Sequence, residues 1–136
     1  MHEWALADGV VTTARKVARQ ERIEKIAKLK IKVGEVQQID TEIFRNALEQ
    51  IIQSHNSLLK GATIEIDIAR AVLECRNCGH RWTFQQAMKR LSHDESEAIH
   101  FVPEMAHVYI GCPACSSPDF EVIQGRGVWL DAIVGE

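Results

Sequence analysis

The sequence lacks the features that mark secreted and membrane-spanning chains. No apolar run approaches the roughly 20 residues that a membrane span requires. The N-terminus has no basic segment followed by an apolar one, so it does not resemble a secretory signal. We therefore expect a cytoplasmic protein with no membrane partner, in a reducing setting where cysteines stay free to bind metal.

Motifs of common catalytic sites are also absent. The sequence has no serine nucleophile elbow, no phosphate-binding loop and no His-Glu-x-x-His zinc motif. There is no internal repeat beyond two short cysteine pairs, and no low-complexity tract. These absences predict a protein that is not an enzyme.

An excess of positive charge is missing as well, because the formal net charge is −3. Eight of the sixteen Lys and Arg residues fall between Arg15 and Lys32, which would suit a nucleic-acid face. Glu21 and Glu24 interrupt that cluster, and residues 79 to 111 carry three positive and four negative charges. We therefore expect no nucleic-acid partner, and keep a zinc-ribbon nucleic-acid-binding or transcription accessory protein as the alternative function.

Cysteine is scarce but patterned. The only four cysteines form two C-x-x-C pairs, Cys75 with Cys78 and Cys112 with Cys115. Four thiolates suit tetrahedral Zn²⁺ and leave no open position for a substrate, so the spacing predicts a structural site. The alternatives are two disulfides, which need an oxidising compartment, and a redox motif, which explains only one pair.

Hydrophobic periodicity predicts an α+β fold of two helices and a three-stranded sheet, with an inserted four-cysteine domain. Apolar residues recur at helical spacing in 1–22 and from Asp40 or Thr41 to about Ser54, and alternate in 28–33, 63–68 and 128–134. The last strand is expected to return to the first sheet. We thus predict a discontinuous α/β domain, 1–72 plus 127–136, and an inserted zinc-binding domain, 73–126.

Within the insert, the pattern predicts a short helix over 84–91 and a polar loop over 92–97. Residues 105–110 alternate and predict a strand that runs into the second cysteine pair, with 120–123 as its neighbour. His107 would then lie in a packed strand.

The first residues form a second candidate metal site. A free α-amine at Met1, the amide nitrogen of His2 and its imidazole can chelate one ion in fused rings, which suits square-planar Ni²⁺ or Cu²⁺. Glu3, or a histidine from elsewhere, would complete the plane. The alternative is a solvated histidine. Because imidazole and amine titrate near 6.5 and roughly 7.7 to 8.0, we expect nickel release as pH falls through about 6 to 7.

Four of the six histidines lie in the predicted zinc domain: His80, His93, His100 and His107. His80 follows the first cysteine pair but is not expected to bind, since four thiolates complete a tetrahedron. His93 or His100 is a candidate for reaching a metal held at the N-terminus. A solvated or hydrogen-bonded structural role is the alternative for each histidine.

These motifs together resemble the HypA/HybF family of nickel metallochaperones for [NiFe]-hydrogenase maturation. The shared features are Met1-His2-Glu3-Trp4-Ala5-Leu6-Ala7, both cysteine pairs, Gly34-Glu35 and Gly125-Arg126-Gly127. The long spacing between the pairs, with residues 98–104 inside it, is similar to the archaeal form. The chain departs from the pattern at Ser116, where a glycine is usual, which we expect to alter the second cysteine turn slightly.

The resemblance implies a nickel site at Met1, His2 and Glu3, with His100 as an additional candidate ligand. It implies a structural zinc at Cys75, Cys78, Cys112 and Cys115, and a protein that is not itself an enzyme. The implied partners are a HypB-type nucleotide-hydrolysing maturation protein and the [NiFe]-hydrogenase large subunit as nickel recipient. Some family members also serve urease. We expect a monomer or weak homodimer.

Overall fold

The computed structural model describes residues 2–55 and 58–136, apart from the side chains of His2, His55 and Pro103. The helices are α1 (His2–Gln20), α2 (Thr41–His55), α3 (Phe84–Met88), α4 (His93–Phe101) and α5 (Ala106–Tyr109), with 3₁₀ turns at Glu35–Gln37 and Pro103–Met105. The strands are β1 (Ile26–Gly34), β2 (Thr63–Ala69), β3 (Val72–Cys75), β4 (Arg81–Thr83), β5 (Phe120–Gln124) and β6 (Val128–Gly135). None of these helices is long and apolar enough to cross a membrane.

The chain divides into two compact units. The first comprises residues 1–32, 39–67 and 128–136, and the second comprises 33–38 and 68–127. The first unit contains α1, α2 and a three-stranded sheet in the order β2-β1-β6. The expected α+β class, two helices with a three-stranded sheet, is confirmed, and β6 does return to the first sheet.

Helix packing and alternation build the first unit. α1 contacts α2, and Phe44 and Leu48 are fully buried on the predicted apolar face of α2. In β1, Leu29 and Ile31 are buried at alternate positions, as the strand period requires. Asp40 caps α2, because its Oδ1 accepts hydrogen bonds from the backbone NH groups at positions 42 and 43, at 3.0 and 3.2 Å.

The second unit has its own sheet, in the order β4-β3-β5. β3 pairs antiparallel with both neighbours, so Leu73 lies opposite Trp82 on one side and Val122 on the other. Leu73, Trp82 and Phe120 are buried, and the Trp82 and Phe120 rings meet edge to face with centroids 5.6 Å apart. Of this sheet only β5 was predicted, as the strand 120–123 with 105–110 as its neighbour. β3 and β4 were not predicted, and β3 leads directly into the first cysteine pair.

Residues 33–38, 68–72 and 127 were predicted to lie in the first domain but group with the second unit. Val36 is 1% exposed within the second unit's core. The backbone NH of Gly34 donates to the carbonyl of Gly127 at 2.6 Å, and a Cβ at Gly34 would lie 2.5 Å from the Gly125 carbonyl oxygen. Glycine is therefore required at position 34 by close backbone approach.

Two local predictions in the insert were wrong. Residues 92–97, expected to be a loop, begin α4, because Ser92 and Glu95 form a reciprocal capping box and Ile99 on the same helix is fully buried. Residues 105–110, expected to be a strand, form helical turns. The buried residues there are Ala106 and Ile110, spaced by four, whereas Val108 is 66% exposed.

Candidate metal centres

The four cysteines converge on one point in the second unit. Their Sγ atoms all lie within 4.8 Å of one another. The Cys75 and Cys115 sulfurs are 3.5 Å apart, and those of Cys78 and Cys112 are 3.6 Å apart. Tetrahedral Zn²⁺ with bonds of about 2.3 Å would hold its sulfurs about 3.8 Å apart, so this donor set fits that ion closely.

The two cysteine turns have the same backbone hydrogen bonds. The NH of Gly79 donates to the Cys75 carbonyl at 2.9 Å, and the NH of Ser116 donates to the Cys112 carbonyl at 2.7 Å. Gly79 has φ +78° and Ser116 has φ +64°, so both residues are left-handed. The expected alteration at Ser116 is therefore not seen, since this serine adopts the conformation of the glycine in the first turn.

The pKa values of the Cys115 and Cys78 thiols are shifted in opposite directions. The side-chain amide of Asn77 and the backbone NH of Ser117 hydrogen-bond Cys115 and lower its pKa to about 6. At Cys78 the backbone NH of His80 acts to lower the pKa, but desolvation and the neighbouring thiols raise it to about 12. One thiolate forms readily and further ionisation is opposed, which is the situation that a divalent cation relieves by binding all four.

Asn77 was not singled out from the sequence. Its Nδ2 lies 3.6 Å from the Cys115 sulfur. The Cys112 sulfur likewise accepts from the backbone NH of Ala114, at 3.4 Å. Partners of this kind orient ligands and stabilise their charge. The C-x-x-C spacing indicates the ligands, but it carries no signal for residues between and after them.

The proposed N-terminal nickel ligands lie in and before α1, in the first unit. Met1 lies outside the described residues. His2 begins α1, and its side chain is not described. Glu3 is only 2% exposed. Burial acts to raise the pKa of Glu3, but hydrogen bonds to its carboxylate, among them one from the backbone NH of Asp40, together with a nearby positive charge, lower it below the ordinary value.

His100 lies in α4, in the second unit, and is half-buried. Its Nδ1 is 2.8 Å from the carbonyl oxygen of Gln37. A carbonyl only accepts, so Nδ1 carries the proton and donates, and Nε2 is the nitrogen that carries the lone pair in the neutral ring. The ring also meets Phe101 edge to face, with centroids 5.0 Å apart.

The other insert histidines have separate surroundings. His80 is exposed and stacks on Trp82, with centroids 6.0 Å apart. His107 lies in α5 rather than in a strand. It is exposed, and its ring stacks on Phe120 at 4.4 Å. His93 is exposed at the start of α4. The structure thus brings the four cysteines together and does not assemble the insert histidines into a cluster of three or more ligands within its described part.

The chain matches one protein family over almost its whole length. Residues 1–134 match the family model described as "Hydrogenase/urease nickel incorporation, metallochaperone, hypA". A protein of Thermococcus sibiricus named hydrogenase maturation factor HypA is 43% identical over 133 residues, covering 98% of this chain and 95% of its own length. The Pyrococcus abyssi protein of the same name is 41% identical, with 98% and 94% covered.

A solved structure shares the fold. The solution structure of the Ni metallochaperone HypA from Helicobacter pylori aligns with a TM-score of 0.65 at 21% identity, covering 99% of this chain and 97% of that one. Full-length family matching, identity near 40% and a common fold lead to one conclusion. The chain belongs to the HypA family of hydrogenase and urease nickel-incorporation metallochaperones.

Proposed function

We propose that this protein carries Ni(II) at its N-terminus and delivers it for maturation of [NiFe]-hydrogenase, while a structural Zn(II) shapes the second unit. The main support is the family match over residues 1–134, which includes both the first residues and the four-thiol cluster. The relatives at about 40% identity are named hydrogenase maturation factors, which favours hydrogenase over urease as the destination.

The nickel ligands in this proposal are the Met1 amine, the His2 amide nitrogen and imidazole, and the Glu3 amide or carboxylate. The first NH groups of a helix have no intrahelical acceptor, so coordination through the His2 amide sacrifices no bond of α1. The positive end of the helix dipole opposes a cation at this position. The ionised Glu3 carboxylate offsets that repulsion.

His100 is proposed as an additional nickel ligand through Nε2. The hydrogen bond from Nδ1 to the Gln37 carbonyl is the kind of outer partner that fixes the tautomer of metal-binding histidines. The four cysteines would hold zinc as a closed site without an exchangeable position, so its contribution is to folding rather than to nickel handling.

We further propose two protein partners. One is a HypB-type nucleotide-hydrolysing maturation protein that works with this carrier in nickel delivery. The other is the hydrogenase large subunit as recipient. Neither step requires this chain to catalyse a reaction.

The test is a nickel titration of protein with a native, tag-free N-terminus, followed by absorbance. We expect His2→Ala to lose the square-planar spectrum and at least tenfold in affinity, since it removes one nitrogen of the chelate. An added N-terminal residue should have a similar effect, because it removes the free amine. His107→Ala, which changes an exposed histidine of α5 that is not a candidate nickel ligand, is the matched control and should bind as wild type.

The same titration gives the pH dependence. Protons compete with Ni²⁺ for the imidazole and amine nitrogens, so nickel affinity should fall as pH drops through about 6 to 7.

The absorbance spectrum of nickel-loaded His100→Ala tests the additional ligand, and it should differ from the wild-type spectrum because Nε2 is lost. Equal nickel affinity in wild type and His2→Ala would remove the N-terminal assignment, and an unchanged spectrum in His100→Ala would remove His100.

A further inference from the structure

A cavity of about 550 Å³ lies in the second unit, next to the second cysteine pair, and none of the proposed nickel ligands lines it. Its apolar floor includes Trp82 and Ile110, each 5% exposed, together with Leu91 and Tyr109. The fold itself holds the residues of this floor in place. Trp82 is paired in β4 and packs on Phe120, and the Ile110 NH donates to the Ala106 carbonyl at 2.8 Å.

The rim of this cavity is basic. Lys89 and Arg90 line it and are exposed, and His80 stands beside Trp82. None of the described lining residues is acidic. Lys89 and Arg90 form no ion pair within the described part of the chain, unlike Arg81 nearby, whose Nε lies 2.7 Å from a Glu74 carboxylate oxygen. A chain with net charge −3 thus keeps two unneutralised cations at one concave apolar site.

The rim is also held in place. Lys89 is the C-cap of α3. The NH of Arg90 donates to the Ala87 carbonyl at 3.2 Å, and the NH of Leu91 donates to the Met88 carbonyl at 3.2 Å. Gln86 contributes a further donor. Its Oε1 already accepts from the Thr83 NH at 3.1 Å, so its amide NH₂ is left to meet an acceptor. Hydrogen-bond donors and cationic side chains around an apolar cavity favour a ligand that has carboxylates on either side of an apolar side chain.

We propose that this cavity, bounded by Trp82, Tyr109, Lys89 and Arg90, is a docking site for an acidic segment of a protein partner. Carboxylates of the segment pair with Lys89 and Arg90, and an aliphatic side chain between them enters the hollow over Trp82. Peptide recognition of this kind places an apolar anchor in a pocket and uses charge for specificity. The proposal is independent of nickel.

The experiment uses the whole protein without added nickel and an acetylated, amidated pentapeptide with leucine flanked by glutamates. Binding is followed by amide shifts in two-dimensional NMR. We expect shifts confined to residues 80–91 and 109–113, and at least tenfold weaker binding to Lys89→Glu/Arg90→Glu. Lys16→Glu/Arg19→Glu, which changes net charge equally at exposed positions of α1, should stay within threefold of wild type.

Changes in the peptide test the basic rim and the apolar floor of the cavity separately, without any substitution in the protein. Replacing the glutamates by glutamine, or the leucine by glycine, should each weaken binding at least fivefold. No detectable binding at 5 mM, equal weakening by both charge reversals, or displacement of the peptide by a single-stranded oligonucleotide that shifts the same residues would overturn the proposal. Amide spectra and bound zinc of the reversed variant are compared with wild type, and Lys89→Ala/Arg90→Ala replaces it if they differ.

Discussion

Ser116 and Gly79 occupy equivalent positions in the two cysteine turns but differ in conformational strain. Both have left-handed φ angles, +64° and +78°. Left-handed backbone costs an L-residue roughly 1–2 kcal/mol, and glycine almost nothing. A Cβ at Gly79 would meet no atom within 4 Å, so any penalty for a side chain there is conformational rather than steric.

The first prediction is therefore a reciprocal exchange. Ser116→Gly should raise the free energy of unfolding by about 0.5 kcal/mol, since relief of strain slightly exceeds glycine's larger entropy in the unfolded chain. Gly79→Ser should lower it by about 1 kcal/mol. Denaturant unfolding of metal-loaded protein measures both. If the free energy of unfolding changed with the same sign in both variants, the φ angle at these positions would not control the stability of the two turns.

At the residue scale, the sequence indicated which thiols come together but not what surrounds them. Four cysteines in paired C-x-x-C spacing were brought together as predicted. The Asn77 hydrogen bond to Cys115 and the burial of Glu3 were not foreseen. The C-x-x-C spacing is a local property that can be recognised directly in the sequence. The burial of one carboxylate depends on contacts such as that with Asp40, which are distant in sequence.

At the element scale, α4 and α5 show how periodicity misleads in short segments. A four-residue window fits a strand or a helical turn equally well, and in 105–110 the residues that are buried have helical spacing. Polar composition concealed α4. Its start was nevertheless readable, because Ser92 and Glu95 have the S-x-x-E spacing of a capping box. Capping chemistry was the better guide where hydrophobic contrast was low.

The second prediction concerns that cap. The Ser92 Oγ accepts from the Glu95 NH at 3.2 Å, and a Glu95 carboxylate oxygen accepts from the Ser92 NH at 2.9 Å. Ser92→Ala should destabilise the protein by about 1 kcal/mol and speed amide hydrogen exchange in α4. Glu97→Gln, an exposed change on the same helix, should stay within about 0.5 kcal/mol of wild type. Unchanged exchange in Ser92→Ala would mean that packing of Ile99 alone maintains the helix.

At the scale of the whole molecule, each of the two units has its own hydrophobic core, and the four-cysteine cluster lies in the second. The first unit has its own core around Phe44 and Leu48, without any cysteine. The second unit relies on short strands and helices of four to nine residues around Leu73 and Phe120. Val36 joins that second core through contacts far apart in sequence, which is why its assignment could not be predicted from local pattern.

The last prediction follows from this division. Structural zinc can contribute on the order of 10 kcal/mol to folding of a small domain, more than short elements supply by themselves. Cys75→Ser, or removal of zinc by a chelator, should therefore unfold residues 68–127 while the first unit keeps its protected amides, as measured by hydrogen exchange and bound-zinc analysis. Ala114→Ser, which adds a hydroxyl to the second turn and keeps all four thiols, is the control. Full protection of β3 and β5 in metal-free protein would show that the thiol cluster does not support this fold, because the sheet would then be stable without the ion that the four sulfurs are spaced to bind.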